Sequence, residues 1–358
     1  MKTGKKFVSL MVCLMLICSM PLGVFADKEA EPAAEALDAD LFIKDRAPAK
    51  DYAYSFAVIG DTQVTTADYP DKLSCIYDWL VENAASKKIK FVFGLGDITY
   101  YSTRGEWSVA KKEINKLNGV IPYSILRGNH DTIETYTETF PLSEYADTID
   151  GSYNNTMLYT YQKFNVGKLK YLVLNLDTYP ADEILSWASG VISDHPDYNV
   201  IVSTHAYLNG KGDFYTGNAD ANDGDEIWEK LVKNHKNIVL VLCGHVGTDK
   251  VVVNKREGVH GNIVTEMLVD PQGTEKRLGP GGYVAMLYFS EDGKNVQVEY
   301  YSTVNQAHFR EDNQFSMELS VIEPKGNVGI IIGGACVLVL LSLVIIFRKK
   351  LFRKKGAF

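Results

Sequence analysis

The sequence predicts an α/β fold in which two packed sheets are flanked by helices. Between residues 54 and 243, short apolar runs of strand length alternate with segments whose apolar residues recur at helical spacing. After residue 250, strand-like runs follow one another with no helical spacing between them. An alternating part followed by a strand-rich part is typical of sheets that carry helices on their outer faces.

The chain begins with a segment that is typical of a secretory signal peptide. Lys2, Lys5 and Lys6 form a basic start, an apolar stretch follows, and Ala26 ends a small-residue cleavage pattern. We therefore predict a signal peptide over residues 1–26. Residues 27–49 are rich in Ala, Glu, Asp and Pro and lack periodic apolar positions, which predicts a linker before a domain over residues 50–320.

Within this domain, the apolar pattern sets the individual elements. Strands are predicted at Tyr54–Ile59, 91–95, 121–126, 171–176, 200–203, Ile238–Cys243, 251–254, 263–269, Tyr283–Phe289 and 296–302. Helices are predicted at 72–86, 107–117, 181–193 and 226–233.

The C-terminal end predicts a membrane anchor. Residues 328–347 form an uninterrupted apolar run, which at about 1.5 Å per residue is long enough to cross a ~30 Å hydrocarbon core as a helix. Residues 348–358 carry six Lys and Arg, and the positive-inside rule predicts that this tail is cytoplasmic. We therefore expect a single-pass cell-membrane protein whose domain is extracellular, with residues 321–327 as the juxtamembrane segment.

The charge balance argues against one class of partner. The signal takes three of the 37 basic residues and the tail takes six, which leaves 28 basic against 45 acidic residues in the rest of the chain. Such a negative domain is not expected to hold nucleic acid by bulk electrostatic attraction. It is compatible with a site in which metal cations hold an anionic substrate.

Polar residues with metal-binding side chains follow the ends of several predicted strands. The residues are Asp61, Asp97, Asn129, His205 and His245. In open α/β sheets the carboxyl edge is where ligands bind, so these side chains are expected to converge. A single Gly-Asp after a strand is usually a turn, but five such positions predict a site. Oxygen and imidazole ligands in this mixture suit Zn, Mn or Fe.

The ordered motifs resemble those of the calcineurin-like metallophosphoesterase superfamily. They are Gly60-Asp61-x-Gln63, Gly96-Asp97, Gly128-Asn129-His130-Asp131, Thr204-His205 and Gly244-His245. The resemblance covers about residues 52–305 and implies a four-layer αββα sandwich of two mixed sheets, with a two-metal site at the strand ends.

The resemblance also implies a role for each residue. Asp61 and Gln63 are expected to ligate the first metal, and Asp97 is expected to bridge both metals. Asn129, His205 and His245 would complete the second position.

His130 would not be a ligand. It is expected to act beside the phosphoryl group, where it stabilises charge or protonates the leaving oxygen. Some family members place an acid three residues after the Gly-Asp aspartate to orient this histidine, and here that position is Tyr100.

Two departures weaken the first metal position. Gln63 stands where the family usually has His, and Gly247 stands where the last motif usually has its second His. Asp249 is one candidate to reach in, against the reading that it is a turn residue. Asp270-Pro271-Gln272 resembles an Asp-x-Gln segment at another strand end, and whether it reaches the metals stays open.

Two further features keep two readings each. Arg127 either faces phosphate or forms a salt bridge. The loop 206–224 either contacts substrate or is solvated, with a helix cap at Asn222 or Asp223.

The expected function is that of an extracytoplasmic, metal-dependent hydrolase of phosphate mono- or diesters. The alternative is a metal-binding surface protein of the same fold with lost or reduced catalysis, which Gln63 and Gly247 motivate.

Overall fold

The computed structural model describes residues 41–217 and 221–323. The predicted signal peptide, residues 27–40 of the predicted linker, residues 324–327, the predicted transmembrane helix over 328–347 and the basic tail lie outside the described residues. Within the described ranges, no helix combines the length and the apolar character needed to span a bilayer.

The strands and helices are numbered here in chain order. The strands are β1 Phe42–Ile43, β2 Tyr54–Ile59, β3 Ile89–Gly94, β4 Tyr123–Ser124, β5 Gly151–Ser152, β6 Tyr159–Val166, β7 Leu169–Leu176, β8 Asn199–Thr204, β9 Ile238–Cys243, β10 Val252–Glu257, β11 Ile263–Leu268, β12 Tyr283–Phe289, β13 Asn295–Ser302, β14 Ala307–Phe309 and β15 Phe315–Glu318. The helices are α1 Gln63–Asp68, α2 Pro70–Asn83, α3 Arg104–Ile114, α4 Ile133–Thr139, α5 Asp182–Asp194, α6 Gly224–Lys230 and α7 Gln272–Leu278.

The strands form two mixed sheets. The first has the order β1-β14-β13-β12-β2-β3-β4, with β15 paired to β13, and the second has the order β10-β11-β9-β8-β7-β6-β5. In the first sheet β2, β3 and β4 are parallel, and in the second β7, β8, β9 and β11 are parallel. The carboxyl ends of the parallel strands of each sheet therefore meet at one edge.

The two sheets pack face to face, and helices cover their outer faces. Aromatic and aliphatic side chains of both sheets, among them Phe56, Phe93, Tyr171 and Met267, form the central core. Helices α2, α3 and α4 pack on the outer face of the first sheet, whereas α5 and α6 pack on the outer face of the second. The two-sheet architecture expected from the sequence is confirmed.

Most predicted elements lie where the apolar pattern placed them. The strands Tyr54–Ile59, Ile238–Cys243 and Tyr283–Phe289 have their predicted bounds, and the strand predicted at 121–126 is reduced to Tyr123–Ser124. Strand β6 lies outside the predicted strands, because its two buried residues, Thr160 and Gln162, are polar.

Two expectations about particular segments were wrong. Helix α7 lies between β11 and β12, where no helix was expected, since its sequence QGTEKRL contains a single large apolar residue. Residues 42 and 43 of the predicted linker form a strand, in which Phe42 pairs with Phe309.

Helix α7 carries a buried acid that predicts a pH dependence of stability. Burial, with a smaller contribution from Asp270, raises the pKa of Glu275 from 4.5 to about 8. Because the unfolded state releases this proton at lower pH, Glu275 costs stability progressively as pH rises from about 4.5 to about 8, by about 1.4 kcal/mol per pH unit. We expect Glu275→Gln to be more stable than the wild type, with a gap that widens at that rate.

Denaturant unfolding at several pH values across this window measures the gap. The exposed Glu257→Gln is the matched control and is expected to follow the wild-type pH profile. Parallel profiles for Glu275→Gln and wild type would contradict the prediction.

Candidate metal centre

Loops that follow the carboxyl ends of the parallel strands bring the predicted residues together. Asp61 and Gln63 follow β2, Asp97 follows β3, His205 follows β8 and His245 follows β9. Asn129 and His130 lie in the loop after β4. The first sheet and the second sheet thus each supply part of one cluster.

Four of the predicted ligand atoms lie within contact distance of one another. Asn129 Oδ1 is 3.0 Å from His205 Nε2 and 2.7 Å from His245 Nδ1. His205 Nε2 is 3.3 Å from both Asp97 Oδ1 and His245 Nδ1. Metal–ligand bonds of about 2.0–2.2 Å hold neighbouring ligand atoms about 3.0–3.4 Å apart, so these four residues fit a transition-metal ion.

The orientation of His205 also suits a ligand. Its Nδ1 donates to the main-chain oxygen of Leu95 at 2.8 Å, which turns Nε2 towards Asp97 and Asn129. In metal-binding histidines, a hydrogen bond from the ring nitrogen that does not bind the metal fixes the tautomer. Burial works against an imidazolium here, yet Asp97 raises the pKa of His205. A bound cation would therefore replace the proton that Asp97 and His205 share when no metal is bound.

Asp97 is held in a strained backbone conformation. Its φ is 45°, and His245, on the opposite sheet, has a φ of 75°. Non-glycine residues in this region are uncommon and concentrate at functional sites. Gly128 makes the arrangement possible, because a Cβ there would lie 2.1 Å from both the Asp97 nitrogen and Asp97 Oδ1.

The other side of Asp97 faces Gln63. Gln63 Nε2 donates to Asp97 Oδ2 at 3.2 Å, and the side chain is completely buried. Its Oε1 has no hydrogen-bond partner among the described residues. Buried amide oxygens normally have a partner, so this oxygen also fits a cation ligand.

His130 lies beside this cluster with its ring orientation fixed. Its backbone N–H donates to Asp97 Oδ1 at 2.9 Å. Its Nδ1 lies 2.9 Å from the main-chain oxygen of Tyr100, and because a carbonyl only accepts, Nδ1 carries the proton. The position where relatives place an orienting acid therefore still orients the histidine, through its backbone.

Asp131 was not assigned a role from the sequence, and it ties the two loops of the first sheet together. Its carboxylate accepts from the backbone N–H groups of Ile98, Thr99 and Gly128 at 2.9, 2.9 and 3.1 Å. The side chain is fully buried, and burial and Asp97 raise its pKa to about 6. Asp131 therefore positions Asp97 and Asn129 relative to each other.

Arg127 is engaged by an acid of the second sheet and is not directed at a substrate. Its Nη2 donates to Asp177 Oδ2 at 3.0 Å, and its Nε lies 2.8 Å from Asp177 Oδ1 in a salt bridge whose side chains are both largely buried. The salt-bridge reading of Arg127 is the one that the structure supports.

The loop after β8 divides into two parts. Tyr215 packs edge-on against His245, with ring centroids 4.5 Å apart, so it borders the metal centre. Asn222 donates to Pro180 O at 2.7 Å, and Asp223 forms the capping box of α6. The helix-cap reading therefore holds for Asp223, whereas the side chain of Asn222 binds the Pro180 carbonyl and Tyr215 borders His245.

Asp249 does not reach the metal centre, whereas the segment after β11 does. Asp249 pairs with Arg277 and accepts from Thr274 Oγ1 at 2.7 Å. Gln272 Nε2 donates to Asp61 Oδ2 at 3.3 Å and to Asp270 Oδ2 at 2.9 Å. The signal for this segment in the sequence was an Asp-x-Gln at a strand end, which spacing alone could not connect to Asp61.

Comparison with known proteins gives one family match and several relatives. The family model for the calcineurin-like phosphoesterase matches residues 54–249. The Bacillus subtilis protein YvnB is 31% identical over 270 residues, which cover 71% of this chain and 20% of YvnB. The chain thus spans about a fifth of that relative's length.

Among the solved structures that are similar at low identity, two are phosphate-releasing enzymes by name. One is the purple acid phosphatase PPD1 from seeds of yellow lupin (Lupinus luteus), with 15% identity, 76% of this chain and 55% of that chain covered, and a TM-score of 0.45. The other is a putative 5'-nucleotidase from Staphylococcus aureus, with 15% identity, the same coverages and a TM-score of 0.42. Since the family model spans more than half of the chain, and since the family's motifs meet at one edge of the two sheets, the chain belongs to the calcineurin-like phosphoesterase family.

Proposed function

We propose that this protein is a metal-dependent phosphoesterase that hydrolyses phosphate mono- or diesters. The observation that carries the proposal is the convergence of Asp97, Asn129, His205 and His245 on one point, with His130 beside it. A binding protein would need the ligands alone. The adjacent, oriented imidazole that is not a ligand favours catalysis.

The residues that would hold metal ions are those of the cluster, namely Asp61, Gln63, Asp97, Asn129, His205 and His245. When bound, Mn, Zn or Fe ions in such a site lower the pKa of water and neutralise phosphoryl charge.

His130 is the group that we assign to proton transfer. Its Nδ1–H is bound to Tyr100 O, so its Nε2 is the nitrogen that can give a proton to the leaving oxygen or donate to a phosphoryl oxygen. The backbone contact to Asp97 fixes the imidazole relative to the ligands, so the ring needs little reorganisation during the reaction.

The test is an assay of the full-length protein after chelation and after addition of Mn, Zn or Fe. Nitrophenyl phosphate monoesters and diesters are suitable probes, because the leaving nitrophenolate is coloured. We expect turnover that disappears with the chelator and returns with the metal. Turnover that is unchanged in Asn129→Ala and His130→Ala would contradict the proposal. Metal binding without turnover on a broad ester panel would favour the alternative of a non-catalytic metal-binding surface protein.

We also propose that the phosphoesterase domain is extracytoplasmic and anchored by the apolar run over residues 328–347. The apolar length and the basic residues after it support this location. The expected result is that the protein sediments with membranes, resists alkaline extraction and is digested by protease added to intact cells. A protein that fractionates with the cytosol would contradict it.

A further inference from the structure

The segment from Asp270 to Gly273 fills the space that a last-motif histidine would need. A Cβ at Gly247 would lie 2.9 Å from Gly273 N and 3.1 Å from Gln272 Cγ. A Cβ at Gly60 would lie 2.3 Å from Val269 O and 2.8 Å from Pro271 Cδ. The chain after β11 therefore packs directly against the two motifs that carry Asp61 and His245.

Gln272 joins Asp270 to the metal centre. Its backbone N–H donates to Asp270 Oδ1 at 2.8 Å, and its Nε2 contacts Asp270 Oδ2 at 2.9 Å and Asp61 Oδ2 at 3.3 Å. Its Oε1 accepts from Gln63 Nε2 at 3.2 Å. One amide thus contacts Asp61, Asp270 and Gln63 together.

The charges at this point are not balanced by protein groups. Asp61, Asp97 and Asp270 are 0%, 1% and 1% exposed. Among the described residues Asp97 pairs with His205, whereas Asp61 and Asp270 form no salt bridge. Buried carboxylates normally have a cationic partner or a metal ion.

We propose that Asp270 is a ligand of the first metal position and that Gln272 positions it, so that together they replace the two missing imidazoles. The proposal rests on the proposed function, because it assumes that the cluster holds metal ions. Gln63 supplies a further buried polar group beside this position: its Nε2 contacts Asp97 and Gln272, and its Oε1 has no hydrogen-bond partner among the described residues. The site then takes two divalent transition-metal ions.

The experiment measures metal stoichiometry and affinity without any substrate. Full-length protein is freed of metal with a chelator and titrated with Mn²⁺ by calorimetry, followed by dialysis and elemental analysis. We expect two equivalents for the wild type. Asp270→Asn should bind one equivalent as the wild type does and the other at least about 100-fold more weakly, because losing a direct ligand costs more than losing an outer-shell partner.

Two further variants separate ligation from folding. Asp270→Asn keeps an oxygen for the Gln272 N–H, so it should fold, and its metal-free form should melt above the metal-free wild type because a buried carboxylate is gone. Gln272→Ala should weaken one equivalent by about 10–100-fold. Asp249→Asn is the matched control at the same edge, where the carboxylate pairs with Arg277, and it should leave both equivalents unchanged.

Two results would overturn the assignment. The first is an Asp270→Asn variant that binds two equivalents within about threefold of the wild-type affinities. The second is a wild type that binds one equivalent whose affinity is unaffected by this variant. A protein that binds two ions and hydrolyses no ester would refute the proposed function and leave the assignment of Asp270 intact.

Discussion

His130→Ala is expected to lower kcat by about 10²–10⁴-fold while the metal content stays that of the wild type. The magnitude is that of a lost general acid, and the metal content is retained because the His130 side chain is not among the converging ligand atoms. The backbone N–H that holds Asp97 remains in the alanine variant. Steady-state kinetics with an aryl phosphate ester and elemental analysis of the same preparation measure both quantities.

The leaving group provides a sharper test of the same role. A proton donor matters most for a poor leaving group, so the loss should be larger for an alkyl ester than for a nitrophenyl ester. The exposed His260→Ala is the matched control and should leave kcat and metal content unchanged. A His130→Ala variant that loses metal, or that loses the same factor on both esters, would contradict the assignment of proton transfer.

Gly128→Ala is expected to destabilise the protein by about 3 kcal/mol or more and to abolish metal loading. The new Cβ would lie 2.1 Å from the nitrogen and from Oδ1 of Asp97, so the backbone must move. The free-energy cost of this backbone movement exceeds the ordinary cost of overpacking a core. Because Asp97 holds a strained φ of 45°, it has little freedom to adapt. Thermal unfolding and elemental analysis are the measurements.

Gly190→Ala is the matched control for this substitution. Gly190 lies within α5, and a Cβ there would have no neighbour within 4 Å. Alanine in a helix interior is favoured over glycine by about 0.5–1 kcal/mol, so this variant should be slightly more stable than the wild type. A Gly128→Ala protein that melts with the wild type and binds metal normally would show that the loop adapts freely.

The sequence predicted the strand ends well because their signal is local. The buried runs Tyr54–Ile59 and Ile238–Cys243 are apolar throughout, and the polar residue after each one stands out. Within each sheet the parallel strands bring these ends to one edge, and the two packed sheets bring the two edges together. For this reason the cluster around Asp97 was predictable without coordinates, although the roles of its members remain predictions.

The contribution of Asp270 and Gln272 was not predictable in the same way. Gln272 and Asp61 are 211 positions apart, and the sequence Asp270-Pro271-Gln272 after β11 reads equally well as a turn. Helix α7 shows no apolar period in the sequence, because its two buried residues, Thr274 and Glu275, are polar. The packing of this segment over Gly247 and the hydrogen bond from Gln272 to Asp61 connect it to the metal centre in three dimensions.

The origin of the proposed ligands on two different sheets has a mechanical consequence. Asp61, Asp97 and Asn129 come from the first sheet, whereas His205, His245 and Asp270 come from the second. Bound ions would therefore fasten one half of the sandwich to the other at its open end. At a hundredfold excess of metal over its dissociation constant, each site adds about 2.7 kcal/mol to the free energy of unfolding. The lifetime of the folded protein would then depend on the metal concentration in its surroundings. A low concentration would make the chain more susceptible to proteolysis in addition to removing its activity.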